Sequence, residues 1–233
     1  MSGTSHDIKA AAQAAPGVHL AAIHAALHPL ADASRAPAMR AYMREQFPFL
    51  GIGTPDRRIA IKPLAAALRT ASAAELLALA DLLWQQEQRE YQYVAIDLLA
   101  RHWRTLSAGE LPALLALVRR KSWWDTVDGL AGVIGDVLRG THQGMDEALL
   151  HEDFWVRRIA LLHQLGWRSQ TDEERLFRYA VALRGEKEFF IQKAIGWALR
   201  DYARHAPDAV RAFLAGPGAG LAPLSRREAA RHL

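Results

Sequence analysis

Ser107-Ala108-Gly109-Glu110 and, after an apolar stretch, Lys121-Ser122-Trp123-Trp124-Asp125-Thr126-Val127-Asp128 read as two successive helix starts. The first is a capping box, in which a hydroxyl and a carboxylate three residues later satisfy backbone N–H groups left free by the first turn. The second puts an aromatic ring at the head of an apolar helical stretch. Ser72-Ala73-Ala74-Glu75 and Thr171-Asp172-Glu173-Glu174 repeat the capping-box pattern. Thr54-Pro55 adds a further start, with Thr as N-cap and Pro in the first turn.

The apolar helix start recurs outward in both directions, with a ring at its head in all but the last. Tyr91, Trp124, Phe154, Phe189 and Leu224 each head an apolar stretch, at spacings of 33, 30, 35 and 35 residues. A repeat of that length built from two helices is the signature of an α-solenoid, because one helix pair cannot bury its apolar face without a neighbour. No run of alternating β-branched and aromatic residues bounded by hairpin turns appears. The expected fold is all-α, a superhelical α-solenoid whose concave face is lined by the helices starting near these five residues. Gly216-Pro217-Gly218-Ala219-Gly220 reads as a loop before a last helix beginning near Ser225. Nothing reads as an interdomain linker, so one domain over residues 1–233 is expected, with residues 1–15 poorly anchored.

Composition narrows the function classes. The 233 residues carry no cysteine, which leaves no disulfide framework, thiolate nucleophile or Cys-based zinc site and agrees with a reducing cytoplasm. The alanine-rich stretch from Ala10 to Ala26 is broken by Gln13, Pro16, His19 and His24, so neither a signal peptide nor a membrane span is read there. The net charge is +4 and the pI is about 9.6, with arginine the main cation. Arginine suits bidentate contact with phosphate, and a basic excess favours nucleic acid as a partner.

Residues four apart share a helix face. Trp124 then pairs with Asp128 and Phe154 with Arg158, while Phe189, Lys193 and Trp197 form one stripe. Each of these has an ordinary structural reading: a helical Trp as core, an Arg or Lys as a solvated face, and Asp125 as a helix-start residue serving the dipole. What lifts them above it is register, since one repeat position carries a ring and the position four later a charge in three neighbouring repeats. Tyr91 with Ala95 shows the bland packing pattern instead. On the residues alone this is a basic, aromatic groove for a polyanion with one carboxylate in it.

The sequence resembles the AlkD-type DNA glycosylases, alkylpurine-removing enzymes built from HEAT-like repeats. The resemblance runs through residues 39–43, 49–58, 84–91, 121–128, 154–158, 188–197 and 221–228, nearly the whole chain from about residue 35. It implies that Asp128 is the catalytic carboxylate and that Trp124 and Trp197 flank the lesion nucleotide. It likewise places a third site aromatic at Tyr42 and the site arginine at Arg158. The implied partner is double-stranded DNA containing alkylated purines, handled by a monomeric, cytoplasmic, monofunctional enzyme that holds the nucleotide in the duplex rather than flipping it. No cofactor and no metal are expected, and no lysine is placed for Schiff-base chemistry.

The chemistry fits one carboxylate. Alkylation at N3 or N7 (as in 3-methyladenine or 7-methylguanine) makes the purine cationic and already a good leaving group, so no general acid is needed. Cleavage of the C1′–N bond builds positive charge on the sugar, which a fixed carboxylate stabilises. Phosphate contacts that position the protein are expected from Thr54, Arg57, Arg58, Lys121, Arg158, Lys193, Arg226 and Arg227. His24 and His28 have metal-compatible spacing but no zincin pattern. Asp97 and Asp136 are expected on helix surfaces or repeat turns. The competing readings are a non-catalytic solenoid that binds DNA or protein, and a paralogue retuned to DNA structure.

Overall fold

The computed structural model describes residues 16–233, and the expectation for residues 1–15 lies outside them. Among the described residues there are thirteen α-helices and no strand, the all-α helical-repeat class read from the sequence. None of these helices is long and apolar enough to cross a membrane. The chain divides into two compact units, one ending at Ala113 and one running from Leu114 to Leu233.

The first unit contains α1 (Pro16–Leu27), α2 (Ala36–Tyr42), α3 (Thr54–Ala67), α4 (Ala73–Gln85) and α5 (Arg89–Arg101). The division falls within α6 (Leu111–Val118). Helix α1 packs on α3 and α4, and both of those pack on α5. The buried core includes Ile23, Leu27, Leu79, Leu83, Trp84 and Tyr91. The loop between α2 and α3 is fastened by fully buried Glu90, whose carboxylate accepts the backbone N–H groups of Leu50, Gly51 and Ile52 at 2.9, 2.9 and 3.1 Å. Next to it the Arg89 guanidinium lies 3.7 Å from the Phe47 ring centre.

The second unit contains α7 (Trp124–Val137), α8 (Met145–Leu149), α9 (Phe154–Leu162), α10 (Glu173–Ala182), α11 (Phe189–Ala203), α12 (Pro207–Ala215) and α13 (Pro223–Ala229). Helices α7, α9, α11 and α13 form a row in which each packs on the next, with α8, α10 and α12 packed behind α9 and α11. The row is the aromatic-start series: Trp124, Phe154 and Phe189 are the first residues of their helices, and Leu224 is the second of its helix. Helix α7 buries Val127, Leu130, Ala131 and Ile134, and α11 buries Ile191, Ala194, Ile195 and Ala198. Both sets follow the i, i+3, i+4, i+7 spacing of a single apolar stripe.

Helix starts agree with the sequence reading at two places and differ at two. Ser72 with Glu75 and Ser107 with Glu110 form complete capping boxes. At the third, Asp172 rather than Thr171 is the N-cap and accepts the Arg175 N–H at 2.9 Å. The Asp172 N–H is itself held by the Gln164 amide oxygen at 2.7 Å, which fixes the carboxylate, a stronger acceptor than a hydroxyl, at the cap. Thr54 is the first helical residue of α3 and Gly53 occupies the cap without a side-chain bond. The Gly216–Gly220 loop contains a short 3-10 turn, Pro217–Gly220.

Two glycines set the helix spacing. A Cβ at Gly135 on α7 would stand 2.0 Å from the His163 carbonyl oxygen at the end of α9. A Cβ at Gly196 on α11 would stand 2.5 Å from the Glu228 Cβ and 2.8 Å from the Ser225 carbonyl on α13. In both cases one helix lies directly on its neighbour's backbone. Gly132, one turn from Gly135 on the same helix, has nothing within 4 Å of its would-be Cβ. In urea denaturation, Gly132→Ala is therefore expected to stabilise by up to about 1 kcal/mol through helix propensity. Gly135→Ala is expected to lose about 1–3 kcal/mol through overpacking. Equal effects from the two substitutions would contradict the close approach.

Candidate functional site

The site is built on the row of helices in the second unit. Carboxylates cap two of its members: Asp153 accepts the Trp155 N–H at 2.9 Å at the head of α9, and Glu188 accepts the Phe190 N–H at 3.4 Å at the head of α11. Behind these starts an aromatic cluster braces the three helices. The Phe190 ring lies 5.2 Å from Trp123 and 4.9 Å from Trp155, and Phe154 lies 4.6 Å from Trp155. With that end braced, the first turns of α7 and α9 and the stretch from Phe189 to Arg200 of α11 present side chains to a cleft of about 360 Å³.

Trp124, Asp128, Arg158, Lys193 and Trp197, read from the sequence as one surface, all line this cleft. The Arg158 guanidinium grips Asp128 in bidentate fashion, Nε donating to Oδ1 at 2.7 Å and NH2 to Oδ2 at 2.9 Å. Its remaining nitrogen, NH1, donates to the Phe190 carbonyl oxygen. The Arg158 side chain is 4% exposed and that of Asp128 13%. Each guanidinium nitrogen of Arg158 thus has a protein acceptor, and the group holds the carboxylate in place rather than reaching for phosphate. Burial pushes the Asp128 carboxyl above its ordinary value; the hydrogen bonds and charge of Arg158 oppose this, and the Asp125 charge adds to it. What remains is a nearly dry carboxylate, fixed at both oxygens, in an aromatic cleft.

Phe189, read from the sequence on the same stripe as Lys193 and Trp197, is 52% exposed at the cleft wall. Phe190, Arg200 and Glu228, which sequence reasoning did not assign to the cleft, complete the lining. Glu228 accepts from Lys193 Nζ and from Arg200 NH1, each at 2.9 Å. The one signal in the sequence was an acid directly after Arg226-Arg227 in an otherwise basic helix. Lys121 lies outside the cleft lining, in the loop before α7, with a left-handed φ of 49°. Arg226 and Arg227 are exposed on α13, and Arg226 donates to the Ala219 carbonyl at 2.7 Å.

The remaining expected residues belong to the first unit. Tyr42 ends α2 and is 71% exposed, followed by Arg44 and Glu45, both with left-handed φ. Thr54 and Arg58 are exposed on α3. Arg57, in contrast, is 5% exposed and donates through Nε and NH2 to Asp97 Oδ2 at 3.2 and 3.1 Å. Its charge is matched inside the unit, which removes it from the phosphate contacts expected from the sequence. Asp97 correspondingly is not a solvated surface acid: its side chain is 13% exposed and also accepts from Arg58 Nε at 2.9 Å. His24 faces the Tyr91 hydroxyl at 3.2 Å. No group of three or more His, Asp or Glu side chains among the described residues is arranged to hold a metal ion.

Removing one partner of a buried pair leaves the other charge unmatched, which costs about 3–5 kcal/mol. Arg158→Met is expected to lose stability in that range in urea denaturation. Asp128→Asn, which keeps an oxygen to accept from the guanidinium, is expected to lose less. A loss below about 1 kcal/mol for Arg158→Met would show that the pair does not hold the helices.

The model of the DNA alkylation repair enzyme family matches residues 23–233. A solved structure, a predicted DNA alkylation repair enzyme from Enterococcus faecalis, is 35% identical and superposes with a TM-score of 0.80. That likeness covers 87% of this chain and 96% of the other. Among curated proteins none matches the chain. With the family pattern running from the first described helix to the last residue, and a relative of the same fold over nearly its whole length, the chain belongs to the DNA alkylation repair enzyme family, with a role in repairing alkylation damage and DNA as its partner.

Proposed function

We propose that the protein is a monofunctional DNA glycosylase that hydrolyses the N-glycosidic bond of cationic alkylated purines, such as 3-methyladenine and 7-methylguanine, in duplex DNA. The observation that carries this reading is the Asp128 carboxylate, held at both oxygens by Arg158 on the wall of a cleft that also presents Trp124 and Trp197. A cationic purine departs with the electron pair of the C1′–N bond and becomes neutral, so the enzyme has no leaving group to protonate. Positive charge develops on the sugar, and a preorganised carboxylate in a water-poor cleft stabilises it without reorganising. Water then adds to C1′ and gives up a proton, for which Asp128 is the nearest anionic acceptor in this reading.

The indole faces add selectivity. Cation–π attraction is worth roughly 0.5–2 kcal/mol per contact and is greatest for Trp. Trp124 and Trp197 would therefore favour the charged nucleotide and its cationic transition state over neutral DNA. Neutral lesions such as uracil lack both the lability and the charge and are expected to be poor substrates. The lesion is taken to remain in the duplex, with contacts on sugar and backbone, unlike the base-flipping enzymes. In this reading the chain is built of HEAT-like repeats with a DNA-binding face. It works as a monomer in the cytoplasm, Tyr42 serving as a third site aromatic. Thr54, Arg58, Lys121, Lys193, Arg226 and Arg227 remain the candidate phosphate contacts, which position the protein without reading sequence.

Incubation with methylated duplex DNA, followed by quantification of free 7-methylguanine and 3-methyladenine, tests the reading. Release by the wild type is expected, with a loss of about 100-fold or more in Asp128→Asn. Duplex affinity of that variant should stay within about twofold of the wild type, since phosphate contacts dominate binding. Intact DNA binding with no released base would point instead to a non-catalytic repeat protein.

A further inference from the structure

Glu228 is an anion on the wall of a cleft assigned to a polyanion. Its carboxylate takes Lys193 at one oxygen and Arg200 at the other, both at 2.9 Å. The three side chains are 15%, 38% and 19% exposed, so the cluster is partly desolvated and its charges are felt strongly. Lys193 and Arg200 project from α11 two turns apart, with Trp197 between them on the same stretch. The arrangement is built: Gly196 lets α13 lie on the backbone of α11, and the Ser225 hydroxyl donates to the Gln192 carbonyl at 2.8 Å, fixing the register of α13. The hydrogen bond from Lys193 holds the Glu228 carboxyl below the usual carboxylate range, so it is ionised at neutral pH.

This leaves the cleft with three cations and two carboxylates, each cation already engaged: Arg158 by Asp128, Lys193 and Arg200 by Glu228. A site selected only for tight DNA binding would omit Glu228, since it repels phosphate and competes for the two cations that share a helix with Trp197.

We propose that Glu228 is a specificity-determining residue that withholds Lys193 and Arg200 from the phosphates of undamaged DNA. The inference rests on the reading of this cleft as the surface that meets DNA. Specificity is a difference of affinities, and it grows when the wrong ligand is penalised more than the right one. Undamaged duplex gains too little from the aromatic wall to displace Glu228 from its partners. A cationic nucleotide, drawn to Trp124 and Trp197, supplies the extra attraction, and Lys193 then exchanges Glu228 for a backbone phosphate.

The test is salt-dependent binding of the full chain to two duplexes, one undamaged and one carrying a single 7-methylguanine on a 2′-fluoro sugar that resists cleavage. Glu228→Gln is expected to raise affinity for undamaged duplex about tenfold and to steepen the log K against log salt slope by about 1–2, one per phosphate newly neutralised. Affinity for the lesion duplex should rise less than threefold, so discrimination narrows. Adding Lys193→Met to Glu228→Gln should reverse most of the gain. Glu228→Asp, too short to span both cations, should fall between wild type and Glu228→Gln and serves if Glu228→Gln does not fold. Unchanged or weaker binding to undamaged duplex in a folded variant, with an unchanged slope, would overturn the proposal. Base release by the wild type is scored separately, so a failure of the glycosylase reading is distinguishable from a failure of this one.

Discussion

The guanidinium of Arg158 is the tie on which the site depends. It projects from α9, binds both oxygens of Asp128 on α7, and gives its last nitrogen to the Phe190 carbonyl at the start of α11. One planar group thereby links three successive helices of the row and fixes the carboxylate between them. An arginine buried to this degree is tolerable because each of its three guanidinium nitrogens meets a protein acceptor and its charge is matched by Asp128. The backbone contacts at Gly135 and Gly196 bring the helices close enough for such short side-chain bridges to span them.

Charge matching is the second theme. Asp97 neutralises Arg57 inside the first unit, Asp128 neutralises Arg158, and Glu228 holds Lys193 with Arg200. The chain is basic overall, but several of its conspicuous cations point at protein carboxylates. A basic composition argues for a polyanionic partner without saying which cations meet it. The cations on the exposed faces of α3 and α13, Arg58, Arg226 and Arg227, are better placed for long-range attraction, whereas those lining the cleft are each paired with a carboxylate beside its aromatic rings.

Much of this was legible in the sequence because it is local or periodic. Capping boxes at Ser72 and Ser107 and rings at Trp124, Phe154 and Phe189 mark helix starts through near-neighbour chemistry, and i, i+4 spacing put Asp128 on the face of Trp124. What was illegible is pairing across the chain. Arg57 meets Asp97 forty residues away, Arg158 meets Asp128 thirty away, and Arg200 meets Glu228 twenty-eight away. Periodicity tells which face a residue occupies but not what charge the facing helix offers, so Arg57 and Arg158 looked like phosphate contacts and Glu228 drew no notice. The cap of α10 slipped from Thr171 to Asp172 for a related reason, since the Gln164 bond that fixes Asp172 comes from the turn after α9, eight residues back.

If Asp128 acts as proposed, as an ionised carboxylate set by Arg158, the pH dependence of single-turnover base release reports it most directly. Protonation removes the negative charge that stabilises the sugar cation, so the rate must fall on the acid side. Burial raises the Asp128 carboxyl, which places that limb above the ordinary aspartate value of about 3.9. Arg158 opposes the rise, so Arg158→Lys, which forfeits the bidentate grip, should move the limb to higher pH. A rate flat through the acid range, or a limb in the same place in the variant, would show that Asp128 does not play this part.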